Sequence, residues 1–229
     1  INIMAVNIDT VYQRVLGISN KEKRGYITPL EYNLFANQAQ LDIFNQYFYD
    51  LNQFARIPST QDEYASSVDL IKEKMSIFEL FKQATTASSN NTFTLNTALY
   101  KLGDVYSTVS GTDFLVERLT KKELIKYQAS PLAKPTATRP VYIDKTDSGD
   151  KIEVYPSTIT SGITYNYIKK PANVSWTGTV VNDISLYNSS TSTNFELHES
   201  EETNLVIKIL ALAGIMLEDP HLYQVSSQE

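Results

Sequence analysis

Cysteine is absent from this chain of 229 residues. Disulfides, thiolate metal sites and cysteine nucleophiles are therefore excluded, which is consistent with a reducing compartment. Histidine is scarce, and neither His198 nor His221 has a second histidine at ligand spacing. We interpret both histidines as surface or capping residues, and we expect neither a metal nor a cofactor.

Long apolar runs are also missing. The longest, residues 205–217, is too short to span a bilayer and contains Lys208. Residues 1–6 have neither the basic region nor the apolar stretch of a signal peptide. We therefore expect no membrane partner and no secretory signal.

Catalytic motifs are not found either. The sequence has no phosphate-binding or dinucleotide-binding glycine loop and no G-x-S-x-G nucleophile motif. Asp144, Asp147 and Asp150 lie close together, but their spacing is not that of a calcium-binding EF-hand loop. We interpret them as hairpin-turn residues. The sequence offers no candidate catalytic residue, and we expect a protein that is not an enzyme.

Charge is distributed unevenly along the chain. The net charge is −2 over residues 1–74, +2 over residues 75–195 and −6 over residues 196–229, which gives −6 overall. A net negative chain is a poor sequence-independent DNA binder. Arg118, Lys121, Lys122 and Lys126 form a small basic face, which we interpret as a solvated face or a contact with an acidic partner surface.

The longest helical pattern covers residues 28–56. Thr28 and Glu31 have the spacing of a capping box, and Pro29 suits the first helical position. At 1.5 Å per residue this helix is about 40 Å long. Further helices are predicted over residues 8–19, 60–73 and 120–128. Capping boxes are predicted to open the last two of these, Thr60 with Glu63 and Thr120 with Glu123. A final helix is predicted from Ser200 until Asp219 and Pro220 end it. We expect Gly17 and the charged run after it to end the first helix.

The middle of the chain differs in composition and is rich in Thr, Ser, Tyr and Val. Strands are predicted over residues 76–81, 92–95, 100–106, 113–119, 139–144, 151–155, 163–169 and 179–182. Residues 130–140 contain three prolines and no periodicity, which predicts an extended arm or loop.

These patterns predict an α+β fold: a helical bundle built from N- and C-terminal helices, with an inserted antiparallel β domain. The predicted domains are residues 1–75 for the first part of the bundle, 76–195 for the β domain with its Pro-rich arm 130–140, and 196–229 for the helix that completes the bundle and a polar tail.

Two apolar stripes follow the predicted helix 28–56, whereas a surface helix needs only one. The stripe predicted to pack within the subunit comprises Leu41, Phe44, Phe48 and Leu51. The stripe predicted to contact a neighbouring copy comprises Phe35, Ala39, Ile43 and Tyr47. A polar residue in an apolar seam can fix its register. The predicted interface residues are Phe35, Asn37, Ile43, Tyr47, Pro131, Pro135, Leu205 and Tyr223.

Several stretches together resemble one protein family. They are residues 6–12 with 24–29, residues 139–142, residues 152–159 through 167–171 to Trp176, and residues 192–202. The chain resembles the head-to-tail connector (ring or adaptor) proteins of podovirus-like tailed bacteriophages, especially the crAss-like group. It is more distantly similar to the tail tubular protein A of short-tailed phages. The resemblance covers most of the chain, and residues 81–113 carry least of it.

The resemblance implies a virion structural protein at the portal vertex, made in the host bacterial cytoplasm. It implies a ring of twelve copies beneath the portal protein, which extends the DNA channel and docks other tail ring, hub or tube proteins. DNA would pass through the channel without sequence-specific binding. The family supplies no catalytic residue to look for in this chain.

Two other classes of function stay open. The first is a tail-associated host-receptor or cell-wall binding module, in which some of the 15 tyrosines contact sugars or proteins. The second is a glycan hydrolase, which would need two carboxylates converging in a cleft.

Overall fold

The computed structural model describes residues 5–21, 27–56, 62–89, 91–145, 150–181 and 184–214. The structure is mixed α+β, as predicted, and divides into two compact units. Unit 1 comprises residues 1–77 and 171–229, and unit 2 comprises residues 78–170. Several predicted features lie outside the described residues: the cap at Thr60, the turn at residues 147–149, His221, and the polar tail with Tyr223.

The helices largely follow the sequence pattern. They are α1 (Ile8–Lys21), α2 (Pro29–Arg56), α3 (Asp62–Ser76), α4 (Lys121–Ala129) and α5 (Glu202–Leu212), preceded by a 3₁₀ turn over Glu199–Glu201. In unit 1, α5 packs against both α1 and α2, and α3 packs against α2. Because α5 comes last in the chain, the helices of unit 1 are covered by a segment that is distant in sequence.

The helix ends show which local sequence signals determine where a helix begins or ends. The backbone N–H of Thr28 donates to the Glu31 carboxylate at 3.0 Å, and the N–H of Glu31 donates back to Thr28 Oγ1 at 3.3 Å, so the predicted capping box is confirmed. The prediction that Gly17 ends α1 is wrong, because α1 continues to Lys21. The last helix ends at Leu212, earlier than predicted, because Gly214 has a φ of 72° and leaves the helical conformation.

The strands of unit 2 form one sheet. They are β1 (Glu79–Ala84), β2 (Thr86–Ser89), β3 (Thr92–Thr94), β4 (Leu99–Val109), β5 (Thr112–Arg118), β6 (Val141–Asp144), β7 (Lys151–Tyr155) and β8 (Ile163–Lys169). Their order across the sheet is β1-β8-β4-β5-β6-β7-β3-β2. In unit 1, β9 (Gly178–Val181) and β10 (Ile184–Tyr187) form a separate two-stranded ribbon.

The prediction of a purely antiparallel β domain is wrong at one pair of strands. β5 and β6 run parallel, with Glu117 opposite Val141. A parallel pair needs a long crossover, and α4 with the turns that follow it supplies one here. Elsewhere β4 and β5 meet in a tight hairpin, where Ser110 and Gly111 have φ angles of 52° and 82°. Positive φ at both central residues is typical of a type I′ turn.

The core of unit 2 lies on the inner side of this sheet. Its centre combines aromatic and β-branched side chains: Phe93, Val105, Val116, Ile152, Val154, Ile163, Tyr165 and Tyr167. A smaller cluster forms where Leu124 of α4 packs with Leu119, Val141 and Ile143. Along β7 and most of β8, buried residues alternate with half-buried ones, as expected for strands that cover a core with one face.

Two predicted segments behave differently in the structure. Residues 171–195 were predicted to belong to the β domain, but they fall in unit 1 because part of the segment is bonded to α2. Residues 130–140 were predicted to form an extended arm or loop, and they form a loop with two tight turns rather than an arm. The N–H of Lys134 donates to the carbonyl of Ser130 at 3.1 Å, and Thr136 and Arg139 exchange backbone hydrogen bonds of 3.3 and 3.1 Å.

Candidate interaction surfaces

Side-chain amides on one face of α2 hold an extended backbone segment. Asn37 Nδ2 donates to the Val174 carbonyl at 2.9 Å, and Asn37 Oδ1 accepts from the Val174 N–H at 2.8 Å. One helical turn earlier, Asn33 bonds both backbone groups of Trp176 at 3.0 and 2.7 Å. Residues four apart share a helix face, and residues two apart share a strand face, so the spacings match.

Gln40 continues this arrangement on the next turn of α2. Its Nε2 donates to the Ala172 carbonyl at 2.8 Å, and its Oε1 accepts from the Glu196 N–H at 3.1 Å. The Glu196 carboxylate accepts from the Ala172 N–H at 3.0 Å. We call the three amides and the segment they bind, residues 172–176, the amide ladder. Each polar group of this segment that is named here has a partner, which makes the ladder a structural device.

An aromatic cluster continues from the end of the ladder. The Trp176 ring lies 4.5 Å from the ring of Tyr12, which lies 4.6 Å from the ring of Tyr32. The indole N–H of Trp176 donates to the Asp9 carboxylate at 2.9 Å, and the Tyr32 hydroxyl donates to the Ile8 carbonyl at 3.1 Å. Burial, helped by the nearby Asp9 charge, raises the pKa of Tyr32, so its hydroxyl stays a neutral donor.

A buried ion pair joins the end of α3 to the start of the last helix. Lys74 Nζ lies 2.7 Å from Glu201 Oε1, and only 4% of the Glu201 side chain is exposed. Asn204 donates to the other Glu201 oxygen at 2.8 Å. Burial disfavours the charged carboxylate, but the hydrogen bonds from Lys74 and Asn204 outweigh it and hold the pKa of Glu201 below its usual range.

The buried Tyr47 side chain lies beside this ion pair. Burial and the Glu201 charge raise the pKa of the Tyr47 hydroxyl. Next to Glu201 in the sequence, Glu202 pairs with Arg14 at 3.1 Å. The His198 ring accepts a hydrogen bond from the Ser200 N–H, so His198 rather than Ser200 caps the 3₁₀ turn. Glu201 and Glu202, at the start of the last helix, thus form ion pairs within unit 1.

The residues predicted to form an interface on α2 are buried or half-buried within the single chain. Ile43 and Tyr47 are 3% and 5% exposed within the single chain, and Ala39 is fully buried. Phe35 is half-buried. Asn37 does fix a register, but it is that of residues 172–176 against α2 within the subunit. The stripe predicted to contact a neighbour is therefore the inner face of α2.

The other predicted interface residues have mixed outcomes. Leu205 is fully buried in unit 1, so it cannot contact a neighbour. Pro131 is exposed, whereas Pro135 is buried by the fold of the turns around it. Tyr223 lies outside the described residues.

The outer face of α2 carries the apolar side chains that the core does not use. Leu30 is 72% exposed and Leu34 is 64% exposed, and the half-buried Leu41 lies on the same helical face. We call these three residues the leucine stripe. The only charged residues of α2 before Arg56 are the acids Glu31, Asp42 and Asp50. Hydrogen bonds with Thr28 hold the pKa of Glu31 low, so this carboxylate is charged at neutral pH.

Unit 2 has a second apolar surface with the opposite charge. A depression of about 110 Å³ is lined by Leu115, Glu117, Tyr127, Ala133, Thr138, Arg139, Pro140 and Val141. Leu115 is 61% exposed, and the surrounding segment presents Ile125 at 68% and Leu132 at 94%. Exposed cations occur in the same stretch of sequence: Lys121, Lys122, Lys126, Lys134 and Arg139. Of these, Arg139 lines the depression itself, together with the acid Glu117. We call this surface, formed by Leu115 and residues 121–140, the basic notch.

Sequence patterns had pointed to only part of these surfaces. The basic face near Lys121, Lys122 and Lys126 was recognised, but its exposed leucines and isoleucine were not. The spacing of Asn33, Asn37 and Gln40 is the signal that could have located the ladder, because it places three amides on one side of a helix. The exposure of Leu30 and Leu34 had no signal in the sequence, since an apolar pattern does not say which face of a helix is covered.

Two further ion pairs lie elsewhere in unit 2. Arg118 forms an ion pair with Asp144, and Lys82 pairs with Asp113 at 2.7 Å. Across the described ranges, no three histidine, aspartate or glutamate side chains come together as a metal site. None of the helices described has the length and apolar character that a bilayer span requires.

Comparisons with known proteins add no family assignment. A scan against protein-family models finds no match. A search of curated proteins finds no relative.

Proposed function

We propose that the chain is a virion structural protein, a ring-forming head-to-tail connector subunit of a podovirus-like, crAss-like tailed phage. It lies beneath the portal, extends the DNA channel and docks the tail. The sequence resemblance supplies this class of function. The structural observation that supports it is the presence of two separate, exposed apolar surfaces, the leucine stripe on unit 1 and the basic notch on unit 2.

Two different surfaces are what a ring subunit requires. In a cyclic assembly each subunit contacts one neighbour with one face and the other neighbour with a different face. Exposed apolar groups that cluster mark surfaces that another molecule covers. Leu132 at 94% exposure and Leu30 at 72% exposure therefore fit a subunit that is completed by its neighbours.

The architecture that we propose for this role is a helical bundle with an inserted β domain. Helices α1, α2, α3 and α5 all fall in unit 1, and the chain leaves and re-enters that unit around residues 78–170. In the proposed ring, of twelve copies by the family resemblance, the portal protein and the tail hub or tube proteins are the other partners. The net charge of −6 suits a channel through which DNA slides without binding.

The experiment is to image the portal vertex of virions that contain this chain by cryo-electron microscopy and to trace the chain in the density. The expected result is a closed ring of this chain between portal and tail. Density for the chain at tail fibres, projecting outward, would overturn the proposal in favour of a host-binding module. Wall-glycan cleavage by the purified chain, lost when β-domain carboxylates are replaced by alanine, would overturn it in favour of a hydrolase.

A further inference from the structure

The two units of the chain carry opposite net charges. Unit 2 has 12 basic and 9 acidic residues, a net charge of +3. Unit 1 has 8 basic and 17 acidic residues, a net charge of −9. Two copies that met unit 1 to unit 1, or unit 2 to unit 2, would place like charges together. The charge distribution therefore favours contacts between unlike units of different copies.

The difference in charge is also present at the two apolar surfaces. Residues 121–140 hold five basic residues and one acidic residue, Glu123, and the depression is lined by one group of each sign, Arg139 and Glu117. Residues 29–55, which form nearly all of α2, hold three acidic residues and no basic one. Both surfaces also expose large aliphatic side chains, and apolar contact with complementary charge around it is the usual composition of a protein interface.

We propose that the basic notch of one copy receives the leucine stripe of the next copy, in a heterologous contact that repeats around the ring. The depression beside Leu115 takes a leucine of α2, and the cations around it face Glu31 and Asp42. Because the stripe and the notch are different surfaces, the contact can continue from copy to copy and close a ring, whereas a reciprocal two-fold pair would stop at two copies. Cross-linking that stops at dimers would therefore overturn the proposal. The contact rests on the proposed ring function and names the surfaces that form it.

Duplex DNA is the other macromolecule that a cluster of lysines could bind. Phosphate contacts need cations and hydrogen-bond donors, whereas the notch combines its cations with Leu115, Ile125 and Leu132, each more than half exposed. These aliphatic groups gain nothing from a phosphate backbone. The composition of the notch therefore favours a protein surface.

The absence of native cysteine makes the contact testable by site-specific cross-linking. The test chain carries Leu34→Cys and Leu132→Cys together and is treated with a short bis-maleimide. We expect a ladder of covalent dimers, trimers and higher species, because each copy offers one thiol to each neighbour. Either single substitution alone should remain monomeric. Cross-linked dimers from Leu132→Cys alone would overturn the proposal, since they would show a two-fold contact.

A matched control places the second thiol elsewhere on unit 2. Phe81 on β1 is 64% exposed, so the pair Leu34→Cys with Phe81→Cys should fold equally well and give no ladder. All these sites are exposed, and circular dichroism of each variant confirms the fold. An equal ladder from the control pair would mean that the cross-links are unspecific, and the proposed contact would be rejected.

Charge reversal tests the electrostatic part of the contact. Lys126→Glu, Lys134→Glu and Arg139→Glu together should lower the cross-linked fraction about tenfold, a change worth about 1.4 kcal/mol. The control variant, with Lys101→Glu, Lys145→Glu and Lys170→Glu, changes the net charge of unit 2 equally and should keep the ladder. Retention of the ladder after reversal in the notch would overturn the proposal, as would a notch that binds duplex DNA while the chain stays monomeric.

The outcomes separate this contact from the proposed function. If the chain forms the ring at the portal vertex but the Leu34→Cys, Leu132→Cys pair gives no ladder, the contact is wrong and the connector function stands. If the ladder forms but the chain is absent from the vertex, the connector function is wrong and the contact between copies stands.

Discussion

Asn37 satisfies both backbone groups of Val174 with one side chain. Its amide donates to the Val174 carbonyl at 2.9 Å and accepts the Val174 N–H at 2.8 Å, which is the pairing that a neighbouring β-strand would provide. The same amide also donates to the Asn33 carbonyl at 2.7 Å. A helix thus holds an extended segment in a fixed register, and the energetic weight of this arrangement can be measured.

Replacement of the ladder amide should destabilise the protein. Asn37→Ala leaves the N–H and carbonyl of Val174 without partners in a half-buried position, so we expect the free energy of unfolding to fall by about 2–3 kcal/mol. Urea unfolding measures this change. Gln38→Ala, one residue along on the exposed face, should cost less than about 0.5 kcal/mol. Equal effects of the two substitutions would show that the ladder contributes little to stability.

The Lys74–Glu201 pair should make stability depend on pH in the acid range. The folded-state pKa of Glu201 lies below its ordinary value of 4.5, so the unfolded chain binds this proton more readily. The stabilisation is complete above pH 4.5 and is lost as pH falls through the folded-state pKa.

Glu201→Gln should lower the free energy of unfolding at pH 7 by about 3 kcal/mol, because Lys74 would keep a largely buried charge without its partner. It should also flatten the acid limb of the stability curve. Glu202→Gln, which breaks the more exposed pair with Arg14, should cost at most about 1 kcal/mol. Thermal unfolding between pH 3 and pH 7 compares the variants. A Glu201→Gln curve parallel to that of the unmodified protein would contradict this assignment.

The single tryptophan reports on unit 1. Trp176 is 2% exposed, so its emission should be blue-shifted in the folded protein and should shift to the red on unfolding. Asp9→Ala removes the acceptor of the indole N–H and should cost about 1–2 kcal/mol. Asp9→Asn keeps an acceptor oxygen and should recover most of that loss. If Asp9→Asn is as unstable as Asp9→Ala, the hydrogen bond is not the cause.

Two glycine substitutions should change stability in opposite directions. Gly17 lies inside α1, and a Cβ there would meet no atom within 4 Å, so Gly17→Ala should stabilise the protein by about 0.5–1 kcal/mol. Gly111 has a φ of 82° in the β4–β5 turn, so Gly111→Ala should destabilise it by about 1 kcal/mol or more. Equilibrium unfolding of both variants shows whether each substitution raises or lowers the free energy of unfolding. A destabilising Gly17→Ala would show that α1 is not a regular helix at that point.

The sequence predicted features whose causes are local. Two of the three predicted capping boxes form, Thr28 with Glu31 and Thr120 with Glu123, and the third begins at Thr60, outside the described residues. The strands at residues 151–155 and 163–169 have the predicted bounds, since alternation of apolar residues is a property of the strand itself. The mixed α+β class follows from the same local patterns.

Features that depend on distant partners were not predictable in this way. The stripe with Ile43 and Tyr47 was predicted to contact a neighbour but is buried within the subunit, whereas Phe44 of the other stripe is buried there as predicted. The pattern of apolar residues does not reveal what covers each face. The cover is supplied by residues 172–176 and by α5, more than 130 positions later in the chain. The buried state of Ile43 and Tyr47, and the exposure of Leu30 and Leu34, follow from that long-range choice.

The amide ladder also sets an order of events during synthesis. Asn33, Asn37 and Gln40 leave the ribosome early, but the segment they bind is translated only after all of residues 78–170. Until then the inner face of α2, with Ile43 and Tyr47, has neither the ladder nor α5 against it. Nascent chains expose apolar surface while such distant partners are missing. The first helices made are thus the last to be covered, and this interval is when a chaperone has access to the inner face of α2.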